Sequence, residues 1–119
     1  MAKRLIATNS TRGAALTENA RVADTILTRL VGLLRDSHLE PGDGLWIVPC
    51  NSIHSFAMRF VFDAIFLDKQ LRVVHLKSEM KPWRTSALIF SAHSVLELPP
   101  GTIHRTGTQP GDQFEMRLN

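Results

Sequence analysis

The chain contains a single cysteine, Cys50, among its 119 residues. One thiol cannot form an intramolecular disulfide, and this usage is typical of a reducing compartment. The apolar run at residues 5–7, after the basic start, is too short for the hydrophobic part of a signal peptide. No stretch reaches the roughly 20 apolar residues needed to cross a bilayer. We therefore expect a cytoplasmic protein without a membrane span.

Runs of like charge are also missing. Fourteen Lys and Arg residues against 11 Asp and Glu residues give a net charge of +3, and the basic residues are scattered along the chain. Proteins that bind single-stranded nucleic acid combine a basic groove with stacking aromatic side chains, and no such motif occurs here. We do not expect nucleic acid as a partner, although a nucleic-acid-binding β-barrel is kept as one alternative.

No group of metal ligands stands out. A metal site needs three or more suitable side chains at one place, and paired histidines on a helix are its usual sign. Here the histidines are isolated in sequence: His38, His54, His75, His93 and His104. The sequence therefore predicts neither a metal nor another cofactor.

A length of 119 residues, with 44% hydrophobic and 21% charged residues, fits one globular domain over residues 1–119. Apolar residues at spacings of three and four predict one helix over about residues 25–35, with Asp24 or Thr25 as its cap. Its apolar face is expected to include Ile26 and Leu27, packed on the rest of the protein.

Most of the remaining chain reads as short strands. They are predicted at residues 5–7, 14–16, 21–23, 45–48, 52–58, 64–67, 71–77, 94–98 and 113–116, with one helical turn at 102–105. The strand at 64–67 is apolar on both faces, so it should be covered on both sides. We predict a mainly β (α+β) fold, a small antiparallel β-barrel or jelly-roll-like sandwich with one packed helix.

Distinctive motifs follow one another from about residue 20 to residue 117. They are Leu30-x-Gly32-Leu33-Leu34-Arg35, Gly44-Leu45-Trp46-Ile47-x-Pro49-Cys50, Ile53-His54-Ser55-Phe56-x-Met58-Arg59-Phe60-x-Phe62-Asp63, Pro82-Trp83-Arg84, Val95-Leu96-Glu97-Leu98-x-x-Gly101-Thr102 and Gly107-x-x-x-Gly111-Asp112. With these motifs the chain resembles the domain of unknown function 192 family (DUF192), a family of small prokaryotic β domains.

This resemblance implies a compact β-barrel or jelly-roll-like domain and no established activity. The Pro-Cys and Ile-His variant found here is similar to the bacterial cytoplasmic branch of the family. Some members of that branch are encoded near pilus-assembly genes, which implies an accessory protein.

The most apolar stretch, residues 49–68, also carries several polar side chains. Polar groups in an apolar setting need partners or they cost free energy. Four polar residues of this stretch and two residues outside it, Trp83 and Glu97, are the candidate site residues. The four are Cys50, His54, Arg59 and Asp63. We expect a polar network or a pocket wall from this set.

Three hypotheses follow for these residues. In the first, Arg59, Asp63 and Glu97 form a structural ion network. In the second, Arg59 and His54 face a pocket for an anionic or sugar-like ligand. In the third, His54 acts with Asp63 or Cys50 in a small hydrolase-like enzyme.

The preferred function is a non-enzymatic binding or accessory module for a small ligand or a protein partner. Trp83, beside Pro82 and Arg84, is the aromatic residue most expected to be partly exposed to such a partner. The sequence predicts neither the identity of the ligand nor the oligomeric state.

Overall fold

The computed structural model describes residues 4–31, 39–55 and 58–118, and within α1 it does so for side chains only up to residue 29. This part of the chain forms a seven-stranded sheet and two short helices. The elements are β1 (Arg4–Asn9), β2 (Ala14–Ala23), α1 (Ile26–Val31), β3 (Asp43–Ile47), β4 (Phe62–Leu67), β5 (Val73–Met80), β6 (Ser94–Leu98), α2 (Thr102–Thr106) and β7 (Phe114–Leu118). The predicted mainly β fold is confirmed.

The sheet curls into a half-barrel. Its strand order is β5-β4-β6-β3-β2-β1-β7, and an isolated bridge between Arg72 and Gln113 joins its two edges. The N–H of Phe114 donates to the carbonyl of Leu71 at 2.8 Å at the same junction. Neighbouring strands are antiparallel, with one departure from the prediction: β2 and β3 are parallel. Parallel neighbours need a long crossover, which α1 and its flanking segments provide.

Two apolar clusters lie on the two faces of the curled sheet. The inner cluster comprises Leu5, Ala7, Leu16, Ala20, Ile65, Leu67, Val73, Leu96, Leu98, Ile103 and Phe114. The outer cluster comprises Ala23, Leu45, Ile47, Ile53, Met58, Phe62, Ala64, Phe66, Met80 and Val95. Every residue of β4 and β6 is buried, so the prediction that the 64–67 strand is covered on both sides is confirmed.

The outer cluster is covered by two irregular segments, residues 48–55 and 81–93, which we call the ribbon. The predicted strand at 52–58 is wrong for its described residues, because only His54 forms a bridge, to Thr85. Serine side chains replace regular ladder bonds here: the N–H of Ile53 donates to Oγ of Ser86 at 2.9 Å. Such local side-chain bonds compete with a continuous strand.

Near the N-terminus, the two predicted strands at 14–16 and 21–23 are one strand, β2. The chain does not turn between them, because the N–H groups of Glu18 and Asn19 both donate to the carbonyl of Gly42, each at 3.1 Å. This bond pattern holds the chain extended beside the segment that leads into β3.

Helix α1 begins where the sequence predicted, but its apolar residues Ile26 and Leu27 do not face the rest of the protein. The N–H of Thr28 donates to Oγ1 of Thr25 at 3.1 Å, so Thr25 is the cap. Ile26 and Leu27 are exposed, so the expectation that they pack on the protein is wrong. A stripe of apolar residues shows which face of a helix is apolar, but it does not show what packs against that face. Residues 32–38, the rest of the predicted helix, lie outside the described residues. The predicted turn at 102–105 is confirmed as α2.

Candidate functional site

The ribbon is held together by backbone hydrogen bonds along its whole length. The N–H of Cys50 donates to the carbonyl of His93 at 2.8 Å, and the N–H of Ile89 donates to the carbonyl of Asn51 at 2.9 Å. Ile89 packs its side chain on the outer cluster. The ribbon is therefore a fixed layer whose outward side chains are presented in defined positions.

Ser55 clamps one end of the ribbon. It is fully buried, and its carbonyl accepts a hydrogen bond from the N–H of Trp83 at 2.9 Å. Its hydroxyl donates to the carbonyl of Lys81 and accepts from the N–H of Arg84 at 2.9 Å. The sequence analysis missed Ser55, because a serine between apolar residues carries no pattern that distinguishes a clamp from a surface position.

The clamp holds Trp83 in a costly backbone conformation. Its φ of 64° lies in the left-handed region, which bulky residues rarely adopt. Strained backbone of this kind persists only where surrounding contacts impose it, and it is concentrated at functional sites. The side chain of Trp83 is exposed, as expected from the sequence.

Large apolar side chains project into solvent from the ribbon and from α1. We call them the apolar strip: Ile26 (71% exposed), Leu27 (70%), Trp83 (64%), Leu88 (50%) and Phe90 (86%). The guanidinium of Arg29 donates to the carbonyl of Pro49 at 3.3 Å, which places α1 against the end of the ribbon. Large exposed apolar patches mark binding sites in soluble proteins, and these five side chains are the residues that would form one here.

Two segments, the ribbon segment 81–93 and residues 48–61, carry positive charge only. Residues 48–61 and 81–93 contain no Asp or Glu. Arg59, Lys81 and Arg84 are exposed there, with no acidic residue in either segment to balance them. The local field therefore favours an approaching negative surface.

Glu97 and Cys50 lie close together beneath the ribbon. Burial raises the pKa of Glu97 to about 8, and the positive charge of Arg21 partly opposes this effect. Burial also raises the pKa of Cys50; a hydrogen bond with the backbone of Ser52 opposes this rise, and the Glu97 charge adds to it. Catalytic thiols have depressed pKa values, so this environment lends no support to Cys50 as a nucleophile.

Asp63 occupies the opposite face. It is fully buried, and its Oδ1 accepts from the N–H of Glu79 at 2.8 Å, while Oδ2 accepts from the N–H of Ile103 at 2.9 Å. These bonds tie the end of β5 and the start of α2 to β4. Asp63 therefore has a structural role, with backbone N–H groups as its partners where the first hypothesis expected Arg59.

The candidate residues are thus not gathered in one place. Asp63 and Glu97 lie on opposite faces of the sheet, and Arg59 is exposed, so the three do not form the predicted ion network within the described residues. The cause is register: Glu97 faces Ala64 across the ladder, one residue from Asp63. His54 is exposed on the ribbon, and Asp63 points to the other face of the sheet, so these two residues do not meet either.

A second polar cluster lies away from the ribbon. Asp112 accepts hydrogen bonds from Nε of Arg12 at 2.8 Å, Nδ2 of Asn9 at 2.9 Å and the N–H of Gln109 at 3.0 Å. The bond from Arg12 and the other donors lower the pKa of Asp112 to about 2. Its partners are the last residue of β1 and residues of the turns next to β1 and β7, so this cluster fixes the fold. The Pro-Gly-Asp turn was its only sequence signal.

A cleft of about 540 Å³ lies between β2 and the loop before α2. Its polar groups are already bonded: Thr102 donates to the carbonyl of Pro99 at 2.7 Å, and Arg105 donates to that of Ala15 at 3.4 Å. The cleft therefore offers these groups little freedom to bind a ligand.

Among residues 4–31, 39–55 and 58–118, no three His, Cys, Asp or Glu side chains come together as a metal site would require. Within the same residues no helix has the length and apolar character to cross a membrane.

Two solved structures share this fold. A protein of unknown function from Novosphingobium aromaticivorans superposes with a TM-score of 0.77 at 21% identity, over 94% of this chain and 83% of that one. A putative transcription regulator from Sinorhizobium meliloti superposes with a TM-score of 0.80 at 21% identity, over 98% and 94% of the two chains. At this identity the likeness concerns the fold alone.

Similar sequences come from archaea. A UPF0127 protein of Thermococcus sibiricus is 32% identical over 115 residues, which cover 92% of this chain and 73% of that protein. The UPF0127 protein PF1050 of Pyrococcus furiosus is 31% identical over 113 residues, which cover 90% of this chain and 94% of that protein. The expectation of a bacterial source therefore stays a prediction.

The profile of the family described as "Uncharacterized ACR, COG1430" matches residues 7–116, beginning earlier than the motifs indicated. Because this match covers nearly the whole chain, the protein belongs to the DUF192 family, whose relatives named above have no established activity.

Proposed function

We propose that this protein is a non-enzymatic binding module that docks through its apolar strip onto an acidic, apolar-containing segment of a partner protein. The observation that carries the proposal is the exposure of Trp83, Leu88 and Phe90 on a rigid ribbon, beside Ile26 and Leu27 of α1. Aromatic side chains held in fixed positions are the residues that most often dominate interface energetics.

The charge around the strip specifies the kind of partner. Arg59, Lys81 and Arg84 are exposed in segments that contain no carboxylate. A second copy of this chain would bring these cations together in a symmetric interface, which like-charge repulsion opposes. An acidic segment would instead be attracted, with its apolar side chains seated on the strip.

The backbone of Trp83 gives further support. Its left-handed conformation is imposed by the bonds to Ser55, which direct an aromatic side chain into solvent at a cost in free energy. A surface without a function gains nothing from such an arrangement, whereas a docking surface gains a preorganised anchor.

The test is site-specific photo-crosslinking in cells that encode the protein, with a photoreactive phenylalanine analogue in place of Phe90 or, as the control, of Glu115 on β7. We expect position 90 to give one discrete protein adduct through an acidic segment, and position 115 to give none. The linked segment, made as a peptide, should bind the purified full chain, more weakly at high salt.

Two variants decide the result. Phe90→Ser and Lys81→Glu should each weaken binding of that peptide at least about tenfold, the effect expected of an interface anchor or a paired charge. A crosslink from position 90 to a second copy of this chain, or unchanged peptide affinity in both variants, would rule out the proposal.

We also infer that residues 1–119 act as a single cytoplasmic domain. The length fits one domain, and the free thiol of Cys50 is consistent with a reducing compartment.

A further inference from the structure

The inner face of the half-barrel has two different ends. Helix α2 follows the end of β6 and closes one of them: Ile103 belongs to the inner cluster, and its N–H donates to Oδ2 of Asp63 near the start of β4. At the other end β2, β3 and β7 end and β6 begins. This follows from the pairing, because β3 is parallel to β2 and antiparallel to β6, and β1 is antiparallel to both β2 and β7.

We call this second end the mouth, and its side chains are those of Val22, Trp46, Ser94, Met116 and Leu118. Val22, Trp46 and Met116 pack against the inner cluster but are only partly buried. Leu118 lies opposite Leu5 of the inner cluster and therefore faces the same side, yet it is 72% exposed. Apolar surface of the inner face is thus exposed to solvent at the mouth.

Two polar groups of the mouth lack hydrogen bonds. Nε1 of Trp46 and Oγ of Ser94 are buried, and neither has a partner among the residues that the structure describes. Trp46 lies opposite Leu96, two residues beyond Ser94 on β6, so all three side chains face inward. Such diagonal neighbours have backbones about 7–8 Å apart, a distance within the reach of an aromatic side chain.

These two groups specify the hydrogen bonds that a ligand must make. An indole N–H only donates, whereas a hydroxyl group donates or accepts. Because Trp46 and Ser94 do not bond to each other, each needs a third atom, and one oxygen with two lone pairs can accept from both. Unpartnered buried polar groups cost free energy, and native proteins keep few of them. A ligand with an acceptor oxygen would remove this cost for both side chains together.

The mouth favours a neutral ligand. Its five side chains carry no charge, and Arg4, which alternates with the inner Leu5, starts from the outer face. A carboxylate or phosphate buried without a cationic partner is far more costly than a buried carbonyl or hydroxyl group. The apolar side chains around the two polar groups match an alkyl chain, whose burial is favourable.

We propose that the mouth binds a small neutral molecule, an alkyl chain that carries a carbonyl or hydroxyl oxygen at one end. The oxygen accepts hydrogen bonds from Trp46 and Ser94, and the chain lies along Val22, Met116 and Leu118. Met116 is unbranched and partly buried, so it can move to admit the ligand. Apolar lining with a few polar groups at the mouth of a β-barrel is typical of small-molecule sites. The site is independent of the apolar strip, since the two share no residue.

The test is NMR titration of the full chain with octanol and with methyl hexyl ketone, which have the same number of carbon atoms. Trp46 and Trp83 are the two tryptophans of the chain, and Trp46→Phe assigns their indole N–H signals. We expect the Trp46 signal to shift until binding saturates, while the signal of Trp83, on the apolar strip, stays in place. Tighter binding of the ketone would assign a carbonyl ligand, and tighter binding of octanol would assign a hydroxyl one.

Calorimetric titration measures the affinities. Octanoate, the charged counterpart of these probes, should bind at least about tenfold more weakly at neutral pH, because burying its charge costs free energy. Ser94→Ala should weaken binding of the tighter neutral probe at least about fivefold, through the loss of one hydrogen bond. Ser78→Ala, an exposed change on β5, should leave binding unchanged.

The proposal is overturned if neither neutral probe binds, if octanoate binds as tightly as they do, or if Ser94→Ala binds normally. A shift of the Trp83 signal alone would place the probes on the apolar strip and would also refute the site. If Ser94→Ala does not fold, Trp46→Phe, which keeps an aromatic ring and removes the N–H, takes its place in the comparison of affinities.

Discussion

The fully buried Ser55 holds the exposed Trp83 through a backbone hydrogen bond of 2.9 Å, from the Trp83 N–H to the Ser55 carbonyl. This bond joins the two halves of the ribbon at the point where the chain adopts a left-handed conformation. It links an interior position to a surface aromatic group, so a change at Ser55 should be felt at the proposed docking surface.

Ser55→Ala should lower the free energy of unfolding by about 1–3 kcal/mol, because buried bonds to Lys81 and Arg84 lose their side-chain partner. Urea denaturation measures this loss. Ser91→Ala, an exposed change in the other ribbon segment, should alter stability by less than about 0.5 kcal/mol. Equal effects of the two substitutions would show that the clamp contributes nothing.

Asp63→Asn should lower the free energy of unfolding by about 2–3 kcal/mol. Two N–H groups bind the two separate oxygens of Asp63, and asparagine retains only one of them as an acceptor. In Asp68 both N–H donors use Oδ1, at 2.9 Å each, so Asp68→Asn keeps the acceptor. That control should lose less than about 1 kcal/mol. A larger loss for Asp68→Asn would contradict this reading of the two carboxylates.

Glu97→Gln should change how stability depends on pH. The folded-state pKa of about 8 lies above the ordinary glutamate value of 4.5, so the folded protein binds the proton more tightly. The free energy of unfolding should therefore fall as pH rises from about 4.5 to about 8. Glu97→Gln removes this decrease, which urea denaturation at several pH values would show as a flatter profile. The exposed Glu115→Gln should keep the wild-type profile; a wild-type profile in Glu97→Gln would refute the assignment.

Asp112→Asn should change stability in acid in the opposite sense. The pKa of Asp112 is lowered from 3.8 to about 2 in the folded protein, so its contribution is present above pH 3.8 and is lost as pH falls towards 2. Thermal melts should show that wild type loses more stability than Asp112→Asn between pH 4.5 and pH 2. Identical losses in both proteins would mean that the bonds to Arg12 and Asn9 do not stabilise the carboxylate.

Phe90→Ser should leave the free energy of unfolding within about 0.5 kcal/mol of wild type, because the side chain is exposed. Phe66→Ala, in the fully buried β4, should cost about 3–5 kcal/mol. Chemical denaturation of both variants makes the comparison. A large loss for Phe90→Ser would mean that the strip belongs to the core and does not serve a partner.

Local patterns predicted much of the sheet. Strands β4 and β5, which pair as neighbours, were predictable because the apolar residues of each lie close together in sequence. Helix α2 was readable from the residues around Gly101 and Gly107, both of which have positive φ. Residues 52–55 of the ribbon were incorrectly predicted as strand, because serine bonds between distant segments replaced the ladder.

The sequence by itself determined a mainly β protein of the DUF192 family, because strand alternation, turn residues and family motifs are all properties of short stretches. Only the tertiary structure decided which polar residues meet. A shift of one residue in register separates Asp63 from Glu97 and aligns Glu97 with Arg21, and the bonds of Ser55 turn Trp83 outward. Both results depend on pairings between distant segments, and the free energy of such pairings is not encoded in any single stretch of the chain.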